Sequence, residues 1–213
     1  MILDKNYWKN RYQTGEIAWD AGAITTPIKA YIDHLVATNV DKNLKILIPG
    51  AGSGYEAAYL WTQGFQNVFV CDWAEEAINR YRNNVPEFPE SQLIIGDFFQ
   101  LNGQYDLIIE QTFFCALDPQ MRPQYAEKMA DLLNTSPKKQ NVSASGAWQE
   151  GVLTGVLFSR MFAFQGPPFG GDRAEYTNYF ESYFDILTME DCHNSIQPRA
   201  EAELWIKLKK KTI

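Results

Sequence analysis

The chain has 213 residues, 46% hydrophobic and 21% charged, with a net charge of -7 and a pI near 4.9. That length suits one well-cored domain, residues 1–213, rather than two. The acidic balance argues against nucleic acid as a partner, because general nucleic-acid binding leans on neutralising phosphates.

No apolar run approaches the ~18 residues of a membrane span, and MILDKNYWKNRY lacks the apolar core of a signal peptide. Cys71, Cys115 and Cys192 are odd in number and spread out, so no disulfide framework is expected, and a reducing, cytoplasmic location fits. His193 sits beside Cys192 but His34 is remote, which is no metal-ligand cluster.

Residues 1–24 carry Tyr7, Trp8, Tyr12 and Trp19 and read as an aromatic lid or arm, or as rings that cover a core edge. Thr26-Pro27 starts a helix, with Thr26 as N-cap and Ile28, Ile32 and Leu35 on one face. Lys45–Ile48 is the first strand. It runs into Gly50-Ala51-Gly52-Ser53-Gly54 and the helix Tyr55–Thr62. Val68–Cys71 is the second strand, ending at Asp72, with Ala74–Tyr81 as its helix; Leu93–Ile95 is the third, ending at Asp97.

Leu107–Ile109 is the fourth strand, ending at Glu110-Gln111. Asp118–Leu133 has a helical apolar stripe in Met121, Tyr125, Met129 and Leu132. Asn134–Gln149 is polar and small, a long exposed loop. Val152–Phe158 is the fifth strand, and Asp172-Arg173-Ala174-Glu175 has the form of a capping box before a short helix. Phe184–Met189 and Leu204–Leu208 close the chain as an antiparallel pair, with Lys207, Lys209, Lys210 and Lys211 at a solvated strand end. The alternation predicts an α/β fold: a doubly wound, seven-stranded, Rossmann-like sheet, mostly parallel with an antiparallel closing strand and helices on both faces.

In such sheets ligands sit at the carboxyl ends of the strands. Those ends supply the glycine loop Gly50–Gly54, then Asp72, then Asp97, then Glu110-Gln111. A carboxylate at Asp72 can accept from both hydroxyls of a ribose, and Asp97 can accept from an adenine amine with Phe98 or Trp73 against the base. Each acid alone could equally be a helix cap. Tyr55 stands where a dinucleotide fingerprint wants its third glycine, and G-x-G-x-G is the form that adenosylmethionine-dependent methyltransferases usually carry. Carboxylates and aromatic faces also suit a sulfonium cation, with Trp8, Tyr12 and Trp19 as candidate walls.

The segments WKNRYQTGEIAWDAGAITTP, LIPGAGSGYE, EQTFFCALDPQMRPQYA and GPPFGG together resemble the thiopurine methyltransferase superfamily, in its thiol and halide methyltransferase branch. The resemblance implies an S-adenosyl-L-methionine-dependent enzyme acting on a small nucleophile such as a thiol, bisulfide, thiopurine-like thiol or halide. Transfer to oxygen, nitrogen or a metalloid on the same fold, or adenosylmethionine binding without catalysis, are the alternatives. It puts Trp8, Tyr12, Trp19, Gly50, Gly52, Gly54, Asp72, Asp97, Phe98 and Gln111 at the cofactor; Trp73 joins them from the residue reading above, and no metal is expected. Arg122, and with it Arg199, falls near the substrate pocket, although Arg122 also reads as a surface ion-pair residue beside Asp118 and Glu127. Pocket size depends on how Phe113, Phe114, Phe162, Phe169 and the arm converge, which spacing does not reveal. Oligomeric state is not readable, and a monomer is compatible with everything above.

Overall fold

The computed structural model of the chain describes residues 2–135 and 151–212; most of the polar segment Asn134–Gln149 lies outside the described residues. In chain order the helices are α1 (Lys5–Thr14), α2 (Thr26–Ala37), α3 (Tyr55–Thr62), α4 (Glu75–Asn84), α5 (Arg122–Leu132) and α6 (Arg173–Phe180). The strands are β1 (Ile46–Pro49), β2 (Val68–Asp72), β3 (Leu93–Ile95), β4 (Leu107–Gln111), β5 (Val152–Phe158), β6 (Phe184–Asp191) and β7 (Glu203–Lys210).

They form one sheet in the order β3-β2-β1-β4-β5-β7-β6, in which only β7 runs antiparallel to its neighbours. Every residue of β1 and β5 is buried, as strands covered on both faces must be. Side chains alternate between two cores. Leu47, Ile108 and Leu153 pack toward α5 and α6, while Ile46, Ile48, Leu107, Ile109 and Val152 pack toward α2, α3 and α4. The strand order reverses between β1 and β4, and that is where such a sheet opens a crevice.

Four local readings differ from the sequence expectations. The aromatic arm contains a helix, α1, capped by Asp4, which accepts from Tyr7 N at 2.9 Å, and stopped by Gly15. Thr25 rather than Thr26 is the N-cap of α2, and its hydroxyl makes no cap bond because it reaches the end of β4 instead. The segment expected as one helix over Asp118–Leu133 is a 3₁₀ turn (Pro119–Met121) followed by α5, since Pro123 fits only within a first turn. The terminal lysines are not merely solvated: Lys210 Nζ donates to Leu133 O at 2.9 Å and Lys211 Nζ to Glu181 O at 2.6 Å.

Candidate active site

The carboxyl ends of β1 to β5 open onto a cleft of about 1170 Å³, measured out to its open mouth. Nine of the residues singled out from the sequence line it: Trp8, Tyr12, Trp19, Gly50, Asp72, Trp73, Asp97, Phe98 and Gln111. The three arm rings lock edge to face, with centroids 5.5 Å apart for Trp8–Trp19 and 5.8 Å for Tyr12–Trp19. Tyr12 lies among Ala74 and Ala77 at the start of α4, and Gln13 Nε2 donates to Glu76 at 2.8 Å, so the arm is fastened over the β2 side. Burial, then Asp72, push the Tyr12 phenol far above its usual range, so it remains a donor.

Gly50 has φ +57, and a Cβ there would lie 2.2 Å from the Phe113 ring; only glycine lets β1 turn beneath that side chain. Asp72 ties the loop to the next helix: Oδ2 accepts from Gly52 N and Oδ1 from Ala74 N, each at 2.9 Å. Burial pushes the Asp72 carboxyl up, against the pull of those hydrogen bonds. Asp97 lines the cleft while accepting from Phe99 N at 2.9 Å. Cap and cleft wall are therefore not alternatives; the same carboxylates are both.

Beside the cleft, sharing Trp19, Gly50, Gln111 and Thr112 with it, lies a smaller polar recess of about 530 Å³. Gly52, Asp20, Ser53, Glu56 and Arg199 also line it. Ser53 Oγ donates to Asp20 at 2.5 Å. Gln111 Oε1 accepts from Thr25 Oγ1 at 2.8 Å, which leaves Nε2 buried and without a partner among the described residues. Arg199 donates to Trp19 O at 2.7 Å and pairs with Glu203 at 3.3 Å. Glu56 is 5% exposed and pushed by burial to about 7, with the Arg199 charge drawing it down and the Asp20 charge adding to the rise. An unpartnered amide donor, a buried carboxyl and an arginine around one small space suit a ligand group carrying both charges.

Three expectations fall elsewhere. Gly54 lines neither cavity; a Cβ there would lie 2.3 Å from the Tyr81 ring, so it serves the packing of α3 on α4. Arg122 is neither on the surface nor at the cleft. It is 1% exposed, pairs with Glu175 at 2.9 Å, and donates to Phe169 O (3.2 Å) and Gly170 O (2.9 Å) between the rings of Phe114 and Tyr176. Glu110 turns into the core beneath the cleft, where Tyr125 Oη donates to it and burial pushes it to about 7.

A thiopurine S-methyltransferase (TPMT) family profile matches residues 3–211. The chain belongs to the thiopurine S-methyltransferase family. It is accordingly an S-adenosylmethionine-dependent methyltransferase. Among its relatives in this family's neighbourhood, "Probable thiol methyltransferase 2" of Arabidopsis thaliana is 27% identical over 95% of this chain and 84% of its own length. "Thiocyanate methyltransferase 1" of the same plant is 24% identical over 98% and 86%. A solved methyltransferase from Burkholderia thailandensis, the 1,6-didemethyltoxoflavin-N1-methyltransferase with adenosylhomocysteine bound, superposes with a TM-score of 0.72 at 16% identity, covering 99% of this chain and 88% of that one. That likeness shows the fold.

The arm rings reach the cleft, but of Phe113, Phe114, Phe162 and Phe169 only Phe113 lines it. Phe114 is buried on Tyr125 and Tyr176, Phe162 packs on Phe158, and Phe169 contributes its backbone. Met121, Phe158, Pro167 and Pro168 line it instead. Glu56 was the most informative omission. Its signal was visible, an acid directly after the glycine loop on a helix whose other inward positions are apolar.

Proposed function

We propose that this methyltransferase carries a methyl group in line from S-adenosylmethionine to the sulfur of a small thiol-type acceptor. The observation that carries the reading is a cleft and an adjoining recess that share Trp19, Gly50, Gln111 and Thr112 as walls: the cleft has an aromatic and acidic side and an apolar end, and the recess holds both charges. In this reading Asp72 takes the ribose hydroxyls, Asp97 the adenine amine, and Trp73 and Phe98 flank the base. Glu56 takes the ammonium of the donor, while Gln111 Nε2 and Arg199 take its carboxylate. Bound there, the donor supplies an electrophilic methyl on a sulfonium. The protein's own work is to hold the nucleophile in line, exclude water under the Trp8–Trp19 roof and face the cation with ring and carboxylate.

Transfer to sulfur asks little general-base strength, which accords with a cleft lined by no histidine among the described residues. Three free, buried cysteines support a reducing, cytoplasmic setting, and the net charge of -7 supports a small molecule rather than nucleic acid as partner. The test is adenosylhomocysteine release with a panel of alkyl and aryl thiols, bisulfide, halides, phenols and amines. Turnover confined to phenols or amines would reject sulfur as the acceptor atom, and binding of adenosylmethionine without turnover of anything would reject catalysis.

A further inference from the structure

The β4 and β5 side of the cleft, where the acceptor must enter, is walled by Phe113, Leu117, Met121, Phe158 and Pro168. Three carboxylates line the whole cleft, Asp72, Asp97 and Asp118, and no Lys, Arg or His does so among the described residues. Asp72 spends both oxygens on backbone N–H groups. Asp118 stands apart on the acceptor side. Its Oδ1 accepts from Gln120 N at 2.9 Å, and its other oxygen has no partner among the described residues. Arg122, four residues on, is turned into the protein and occupied by Glu175 and two carbonyls, so it offers nothing to an incoming anion.

Resting on the methyltransferase reading of the cleft, we propose that Asp118 selects the acceptor by charge: an apolar thiol enters uncharged, as S–H, and small inorganic anions are rejected. A hydrated anion reaching this end must exchange water for apolar walls and a facing carboxylate, and the wall adds no cation to the donor's own sulfonium, whose charge Asp118 offsets. A neutral alkyl or aryl thiol loses little on the same transfer and gains apolar contact. In the step itself the thiol sulfur's electron pair forms the new S–CH3 bond. The donor's C–S bond breaks with its pair left on sulfur, giving the neutral thioether adenosylhomocysteine. The S–H proton passes to the free oxygen of Asp118 and from there to water at the open mouth.

The experiment measures adenosylhomocysteine formation by the full chain with alkyl thiols, with aryl thiols of graded acidity, and with iodide, thiocyanate and sulfide. Asp118→Asn keeps an acceptor for Gln120 N, and Asp118→Ser is a second variant that can also cap the turn. The expected wild-type preference is uncharged thiols over anions by about a hundredfold or more in kcat/KM. In the variants, kcat for weakly acidic alkyl thiols is expected to fall by about a hundredfold, strongly acidic aryl thiols to change little, and anion use to rise about tenfold. Adenosylhomocysteine affinity should stay unchanged. A wild type that prefers iodide or thiocyanate, or variants that lower every acceptor alike, would overturn the proposal alone. A chain that binds adenosylhomocysteine yet methylates no acceptor overturns the parent reading together with it.

Discussion

Residues 50 to 98 supply the glycine loop and the two carboxylates of the proposed donor side, and the contacts among them span 20 residues or fewer: Gly52 to Asp72, Asp72 to Ala74, Asp97 to Phe99. The acceptor side is assembled from far-apart pieces. Phe113 and Met121 follow β4, Phe158 ends β5, and Pro167–Pro168 lies on a segment held in place from α5 by Arg122. Fixed main-chain donors and carboxylates suit a ligand whose chemistry never varies. A wall of apolar side chains hung on a clamped loop can change shape at little cost to the donor site, and the names of two relatives carry different acceptors, a thiol and thiocyanate.

A change at Gly50 strikes both sides. Gly50→Ala forces a Cβ into the left-handed φ and against Phe113, which belongs to the acceptor wall. The strain is worth about 1–3 kcal/mol. Relief requires β1 or Phe113 to move, so donor affinity is expected to fall by at least about tenfold and turnover by more. Calorimetric titration with adenosylhomocysteine checks the first and initial rates the second. Wild-type affinity in a folded Gly50→Ala chain would show that the two sides are mechanically independent.

The same contrast explains what was legible in the sequence. The glycine loop, Asp72 and Asp97 were readable because strand, turn and acid follow one another locally, and the pattern of apolar runs located every strand to within a few residues. Arg122 was readable as an important arginine but not as a buried one, because its partners Phe169, Gly170 and Glu175 are distant in the chain. Glu110 and Gln111 are adjacent on β4 and alternate across the sheet, so one faces Tyr125 in the core and the other the cleft. Period-two alternation gives that split, yet it does not say which of the two residues points inward.

Arg122→Met sharpens the comparison next. Removing the guanidinium leaves the Phe169 and Gly170 carbonyls unpaired, while Glu175, whose side chain is 37% exposed, can turn to water. A loss of about 2–4 kcal/mol in denaturant unfolding is expected. The Pro167–Pro168 wall loses its anchor, so acceptor KM should rise several-fold, more for a bulky thiol than for a small one. Donor affinity should hold. A matching loss of donor affinity would mean that Arg122 supports the whole fold rather than the acceptor wall.

The smallest effect separates two buried acids that burial raises alike. Glu56 and Glu110 each titrate near 7 in the folded chain against an ordinary 4.5. Between those values the folded chain retains a proton that the unfolded chain has released. Stability therefore falls as pH rises through that window, by up to about 1.4 kcal/mol per pH unit for each group. Asp72, also raised by burial, adds to the same trend. Glu56→Gln and Glu110→Gln should each flatten the slope by a similar share in urea titrations across the window. Saturating adenosylhomocysteine should then tell them apart. Glu56 faces the recess, where a ligand ammonium would favour its charged form, so its share of the slope should disappear. Glu110 is sealed under Tyr125 and Phe114, beyond reach of any ligand charge, and its share should remain. Equal persistence of both shares with the ligand bound would remove Glu56 from the donor site while leaving the rest of the cleft as described.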